Sequence, residues 1–300
     1  HGFYTPDAYL NEARRWGIRI LPIDINDSHI KYIGKHHWIR PGFMHIRSIT
    51  SKAQEKVVQE REKNGRFRNL EDFLDRVEIH RHEVEKLILV GAFGGFGLMQ
   101  PELLFLLDGS RKKKHPTQSS NLFSCLGYRP DLHPGLNDFT LTERCLNELN
   151  LLGFMLSGDI LDILELHPAS RSAVAANEIH NHSGKGIKIF GWPVIERVSP
   201  VANSDKPMMF LTVEDKTGCV DVIFWARSYS RYASVLAKPG PYEIWGKVTE
   251  EWDTFSLEVE SIKEVQWSPS QVDFELAARR LEQSFKRTYT YDDIGSVGVA

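Results

Sequence analysis

A chain of 300 residues with 41% hydrophobic and 26% charged side chains has room for two or three globular domains, and excludes both a disordered tail and a coiled-coil rod. No apolar run approaches the ~18 to 20 residues of a membrane-spanning helix, and Cys125, Cys145 and Cys219 are too widely spaced for a disulfide framework or a zinc site. The net charge of −3 conceals a gradient: residues 1–70 hold 13 Lys/Arg against 7 Asp/Glu, residues 241–300 hold 6 against 12. A basic front points to phosphate contacts, and an acidic end to a surface turned away from nucleic acid or toward a protein partner. The expected compartment is a reducing cytoplasm, and the His1 start is read as the edge of a piece whose partner domains lie upstream.

In chain order, Thr5 and Pro6 read as cap and first turn of a helix carrying Ala8, Leu10, Ala13 and Trp16 and ended by Gly17, before a short strand over residues 18–23. Between residues 43 and 61, Phe43, Ile46, Ile49, Ala53, Val57 and Val58 recur at helical steps, interrupted near residues 48–51. That pattern predicts a helix, a tight turn and another helix, with a capping box opening at Ser51. A second helical pair follows, with Leu70, Phe73, Leu74 and Val77, then Val84, Leu87, Ile88 and Val90, closed by Gly91. Pro101 begins a further helix, the polar residues 111–120 read as an exposed loop at a domain boundary, and Thr140 with Glu143 forms a capping box for the next helix. Residues 168–184 lose periodicity and read as a linker.

Beyond Gly184 the period falls from 3.6 to 2, predicting strands over residues 187–198, 208–214, 220–225, 242–249 and 255–265, with a helix over 227–236 between the third and fourth. Five strands with a helix in that position are the layout of an OB-type barrel. The fold class is therefore multidomain α+β: a mainly helical N-terminal part with a helix–hairpin–helix, followed by an all-β OB-fold barrel. The domain bounds expected are 1–40, 41–116, 117–184, 185–268 and a tail over 269–300.

A helix–hairpin–helix binds DNA because N–H groups of the turn and the positive helix N-terminus face a phosphate that nearby Lys or Arg neutralises. The candidates for duplex contact are Arg47, Ser48, Thr50, Ser51, Lys52 and Lys56, although the Gly-hydrophobic-Gly turn suited to close phosphate approach is here Ser48-Ile49-Thr50. An OB barrel holds single strands by stacking bases on exposed aromatics beside a positive groove. The candidates are Phe190, Trp192, Phe210, Trp225 and Trp245, interleaved with Lys188, Arg197 and Lys247; strand alternation over 220–225 leaves open which face is core. No Walker loop, HExxH, GxSxG or GxGxxG occurs, and the His pairs 36/37, 80/82 and 180/182 lack further ligands at metal spacing, so no catalytic or metal site is expected within the chain.

Six segments in order carry a resemblance: Gly2-Phe3-Tyr4-Thr5-Pro6, Ala13-Arg14-Arg15-Trp16-Gly17, Leu21-Pro22-Ile23-Asp24-Ile25-Asn26-Asp27-Ser28, Phe67-Arg68-Asn69-Leu70-Glu71-Asp72-Phe73-Leu74, Gly91-Ala92-Phe93, and Leu152-Gly153-Phe154-Met155-Leu156-Ser157-Gly158. Together they resemble the C-terminal portion of the bacterial C-family DNA polymerases, the replicative polymerase III alpha subunit and its error-prone relative. The resemblance implies the end of the fingers over residues 1–40, a duplex-binding domain next and an OB domain near the single-stranded template. It also implies that the aspartates holding two Mg²⁺ for nucleotidyl transfer lie in a palm outside this chain, which is then inactive alone. By the same resemblance Gln118, Leu122 and Phe123 stand where the family has its sliding-clamp motif, with one extra residue between Gln118 and the Leu-Phe pair. The alternatives are a stand-alone replication or repair accessory protein without a palm, and a protein-interaction module.

Overall fold

The computed structural model describes residues 6–110, 136–166, 172–201, 204–238, 240–265 and 267–269. They form two compact units, one of residues 18–157 and one joining residues 1–17 to 158–300. The N-terminal helix α1 (Pro6–Arg15) thus groups with the barrel rather than with the helical front expected for residues 1–40. Cap residue Thr5 lies outside the described residues.

In the unit of residues 18–157, strands β1 (Arg19–Ile20), β2 (Ile33–Lys35) and β3 (Trp38–Arg40) make a small sheet in the order β1-β3-β2, with β1 parallel to β3. The Leu21–Ser28 segment then runs through the core, with Ile23 and Ile25 almost fully buried. Its polar residues satisfy backbone that burial would otherwise leave unpaired. Asn26 exchanges two hydrogen bonds with Phe67, at 2.7 and 2.9 Å, and the Arg61 guanidinium donates to the Ile25 carbonyl at 2.8 Å.

Four helices follow: α2 (Ser51–Asn64), α3 (Leu70–Arg76), α4 (Arg81–Leu89) and α5 (Gln100–Ser110). Phe67, Phe73 and Phe93 meet edge to face at 5.1 Å between centroids, and Phe73 and Phe93 are 0% exposed. The helix expected to start at Phe43 is only a 3₁₀ turn (Phe43–His45), because the backbone must reverse into the hairpin two residues later. Helix α6 (Leu141–Leu152) has the capping box expected at Thr140 and Glu143, and the Arg47 N–H donates to the Leu151 carbonyl at 2.7 Å.

In the second unit, α7 (Ile160–Ile163) leads into β4 (Leu164–Leu166). The barrel follows: β5 (Gly186–Val201), β6 (Ser204–Glu214), β7 (Cys219–Phe224), helix α8 (Ala226–Leu236), β8 (Tyr242–Glu251) and β9 (Thr254–Glu264); a last strand, β10 (Trp267–Pro269), pairs with β4. The sheet closes in the order β5-β6-β7-β9-β8, with β7 and β9 parallel and all other pairs antiparallel, which is the OB topology. Inward residues include Ile187, Ile189, Leu211, Val213, Val222, Phe224, Ile244, Val248 and Leu257, each at most 5% exposed. Each such side chain stabilises the barrel by ~1.5–3 kcal/mol. The stretch read as a linker contributes to this core: residues 176–182 form a 3₁₀ helix that buries Ala176 and Ile179 among the barrel side chains. Its apolar residues are too few and too close together to show a period.

Strand β5 pairs with β8 through Gly191 and with β6 from Trp192 onward. At that change of partner a Cβ on Gly191 would stand 2.9 Å from the Glu214 carbonyl oxygen, so only glycine fits. Gly246 of β8 faces a bulge in β9, where Glu260 is the extra residue, and a Cβ on it would collide with the Glu258 carbonyl oxygen. Helix α1 rests on one end of the barrel: Arg15 donates to Glu214 at 2.6 Å, and Asn11 to Asp159 at 3.1 Å. Burial pushes the Glu214 carboxyl up to about 7 against the pull of Arg15. No helix among the described residues is long and apolar enough to cross a membrane.

Substituting Gly246→Ala will force β8 and β9 apart and destabilise the barrel by ~1–3 kcal/mol, measured by urea unfolding; an unchanged midpoint would refute the close approach.

Candidate nucleic-acid interface

The hairpin turn takes the backbone course that glycine would supply, without the glycines. Ser48 has φ +65°, in the left-handed region, and Thr50 is extended and caps α2 by accepting from the Ala53 N–H at 3.2 Å. The cap is therefore Thr50 rather than Ser51, one residue earlier than the spacing predicts. Ser48, Ser51 and Lys52 are exposed, and the Ser51 and Lys52 N–H groups at the start of a 14-residue helix have no hydrogen-bond partner among the described residues.

The other three candidates are engaged within the unit. Arg47 donates to the Asn150 carbonyl at 3.2 Å near the C-terminus of α6, and Lys56 donates to the Glu78 carbonyl. Thr50 is held by Glu83, a residue the sequence reading did not single out. The Glu83 carboxylate, 1% exposed, accepts from the Thr50 N–H at 3.0 Å, the Thr50 hydroxyl at 2.8 Å and the His80 N–H at 3.0 Å. It binds the turn before α2 and the turn before α4 to one anion. Burial alone would raise the Glu83 carboxyl; the N–H groups of Thr50 and His80 and the Thr50 hydroxyl outweigh it and hold the carboxyl below the ordinary glutamate value. Its position three residues after the α4 cap was the one available signal.

In the barrel, the seven single-strand candidates divide. Lys188, Phe190, Trp245 and Lys247 lie on the β5–β8 wall, with Lys188 opposite Trp245 and Lys247 opposite Gly186. There the Lys188 ammonium stands 5.7 Å over the Trp245 ring and is bonded to Ser172 at 2.6 Å, with Glu243 at 3.5 Å. Trp192 is 4% exposed and stands opposite Glu214, on the covered part of the outer face, so its ring offers no stacking face.

Phe210 and Trp225 belong to a different wall. The register sets Arg197 of β5 opposite Phe210 of β6, and Phe210 opposite Ile223 of β7, in one cross-strand row. Phe210 is 38% exposed, and Trp225, two residues past Ile223 on the same side, is 48% exposed. The alternation left open by the sequence is resolved: Val220, Val222 and Phe224 face the core, and Asp221, Ile223 and Trp225 face outward. The far end of this face is occupied by Arg15 over Glu214, so the open part is the row with Arg197, Phe210, Ile223 and Trp225. Gln118, Leu122 and Phe123 lie outside the described residues. Among the described residues no group of three or more His, Cys, Asp or Glu comes together to hold a metal ion.

Fold and site thus define a helix–hairpin–helix protein with a closed OB barrel. Residues 17–103 match the family described as a helix-hairpin-helix motif. The chain is 26% identical over 275 residues to DNA polymerase III subunit alpha of Borreliella burgdorferi, covering 86% of this chain and 24% of that protein. It is 26% identical to the error-prone DNA polymerase of Symbiobacterium thermophilum, covering 78% and 26%, and 30% identical to DNA polymerase III subunit alpha of Buchnera aphidicola, covering 73% and 20%. This chain is related to the C-terminal part of the bacterial C-family DNA polymerases and spans about a quarter of the length of the relatives it matches. Likeness to solved structures is slight, such as RecG bound to a three-way DNA junction at a TM-score of 0.26 and 12% identity, covering 77% of this chain and 34% of that one.

Glu83→Ala will leave two N–H groups and a hydroxyl without their acceptor and cost ~3 kcal/mol at neutral pH, read by urea unfolding. A depressed carboxyl contributes stability above its unfolded value and loses it as pH falls through the folded one. The wild-type chain will therefore weaken below about pH 4.5, and Glu83→Gln will weaken less over the same range; equal slopes would refute the clamp.

Proposed function

We propose that this chain is the DNA-handling part of a C-family DNA polymerase, holding duplex backbone at the N-terminus of α2 and single-stranded template across the Arg197–Phe210–Ile223–Trp225 row. The observation that carries the reading is that row: a cation, two exposed aromatics and an aliphatic side chain on the open face of a barrel whose other end is covered by α1. Bases stack on exposed aromatics with little regard to sequence, and the adjacent guanidinium meets the backbone. At the hairpin, the free N–H groups of Ser51 and Lys52, the dipole of α2 and the Lys52 ammonium suit one phosphate oxygen pair. Arg47 and Lys56 act there through the structure, by fixing α6 and the second hairpin against the first turn.

In this reading the parent protein is a DNA-directed DNA polymerase of replication or repair. Its nucleotidyl transfer uses two Mg²⁺ held outside this chain, and Gln118, Leu122 and Phe123 engage a sliding clamp. Template and duplex binding by this chain then orient the primer end for chemistry carried out elsewhere.

Two titrations followed by fluorescence anisotropy test the two surfaces separately. The pair Phe210→Ala and Trp225→Ala will weaken binding of single-stranded DNA by about 5- to 100-fold while leaving a blunt duplex unaffected, and an unchanged single-strand affinity would sink the barrel assignment. Lys52→Glu will weaken duplex binding alike for all sequences and reduce the slope of log affinity against log salt by about 1; a slope equal to wild type would refute the phosphate contact.

A further inference from the structure

The hairpin between β8 and β9 presents a feature that the DNA-binding face does not use. Among the described residues Trp252 is the most exposed large apolar side chain, at 91%. It stands at the hairpin tip, where Trp252 and Asp253 both take positive φ, 53° and 58°, the two-residue turn that holds the indole away from the barrel. A cleft beside it is lined by Ser183, Gly184, Lys247, Thr249 and Glu250.

The charge around Trp252 is negative. From residue 248 to residue 262 the chain carries Glu250, Glu251, Asp253, Glu258 and Glu260 and no Lys or Arg. Glu250 accepts from the Ser183 hydroxyl at 2.9 Å, whereas Glu251 and Asp253, on either side of Trp252, have no salt-bridge partner among the described residues. Of the cations at hand, Lys247 lines the cleft and stands opposite Glu258 in register, and Lys185 pairs through its backbone carbonyl with the Val248 N–H. A phosphate backbone brought to this tip would meet two uncompensated carboxylates. A guanidinium or ammonium would meet the face of an indole with a carboxylate on each side, the arrangement that cation–π binding favours.

The register also separates this tip from the row carrying Phe210. Parallel pairing sets Ile223 beside Glu258, four residues along β9 from its first residue Thr254, roughly 13 Å from the hairpin tip at ~3.3 Å per residue. One barrel therefore offers two chemically opposite surfaces.

We infer that the β8–β9 tip is a protein-docking site that takes a basic segment of a partner, with an Arg or Lys side chain stacked on Trp252 between Glu251 and Asp253. This surface is distinct from the proposed DNA-binding row, and its fate in experiment is independent of it. The test uses the full 300-residue chain, a fluorescein-labelled arginine-rich peptide, a charge-reversed glutamate-rich peptide of the same length and a labelled oligothymidylate. Trp252→Ala will weaken the arginine peptide about tenfold, Trp252→Phe will restore most of that loss, and Glu251→Lys with Asp253→Lys will abolish binding. The glutamate peptide will not bind the wild-type chain, and oligothymidylate affinity will stay within twofold for Trp252→Ala. Arginine-peptide binding that is absent, or indifferent to Trp252, overturns the inference. So does a loss of oligothymidylate affinity on Trp252→Ala, which would make the ring a base platform instead.

Discussion

A buried N–H without an acceptor costs more than most packing contacts return, and the architecture of the hairpin unit follows from how that cost is avoided. The turn before α2 and the turn before α4 both aim N–H groups inward. Glu83 answers both with one carboxylate, and its removal would leave three donors without their acceptor at once. Lys56 on Glu78 and Arg47 on Asn150 extend the same logic outward, each a cation on a backbone carbonyl. The hairpin is thus fixed from inside by an anion, while the Ser51 and Lys52 N–H groups have no hydrogen-bond partner among the described residues.

In the barrel the corresponding constraint is closure. A five-stranded sheet hides its edges only if the third and fifth strands pair, and β7 lies parallel to β9 to do so. Strand β5 must then serve two neighbours, and it can change from β8 to β6 because Gly191 lets the Glu214 carbonyl approach. Beyond that change of partner β5 runs beside β6, which sets Trp192 opposite Glu214 and Arg197 opposite Phe210. The functional surface is a consequence of how the barrel closes.

The interior of the barrel and its exposed faces carry different information. Core positions are set by volume and apolarity and tolerate rearrangement among similar residues, whereas the outward residues have no packing duty there. Exposed Phe210, Trp225, Trp245 and Trp252 are therefore the informative ones, and their neighbours divide them by sign: Arg197 beside Phe210, Lys188 beside Trp245, and Glu251 and Asp253 beside Trp252.

Much of the architecture was legible in the residues themselves. Hydrophobic period distinguishes the helical front from the barrel strands, the helix over 227–236 marks the OB layout, and Thr140 with Glu143 announces α6. These are local patterns, set by 3.6- and 2-residue repeats and by capping side chains. The tertiary structure decided what depends on partners far along the chain. Glu83 meets Thr50 across 33 residues, α1 joins the barrel through Glu214 across 199, and the 3₁₀ helix over residues 176–182 enters a core it does not announce. Which aromatics face water was decided there too: a strand shows which residues share a side, but only its neighbours determine which side is the core.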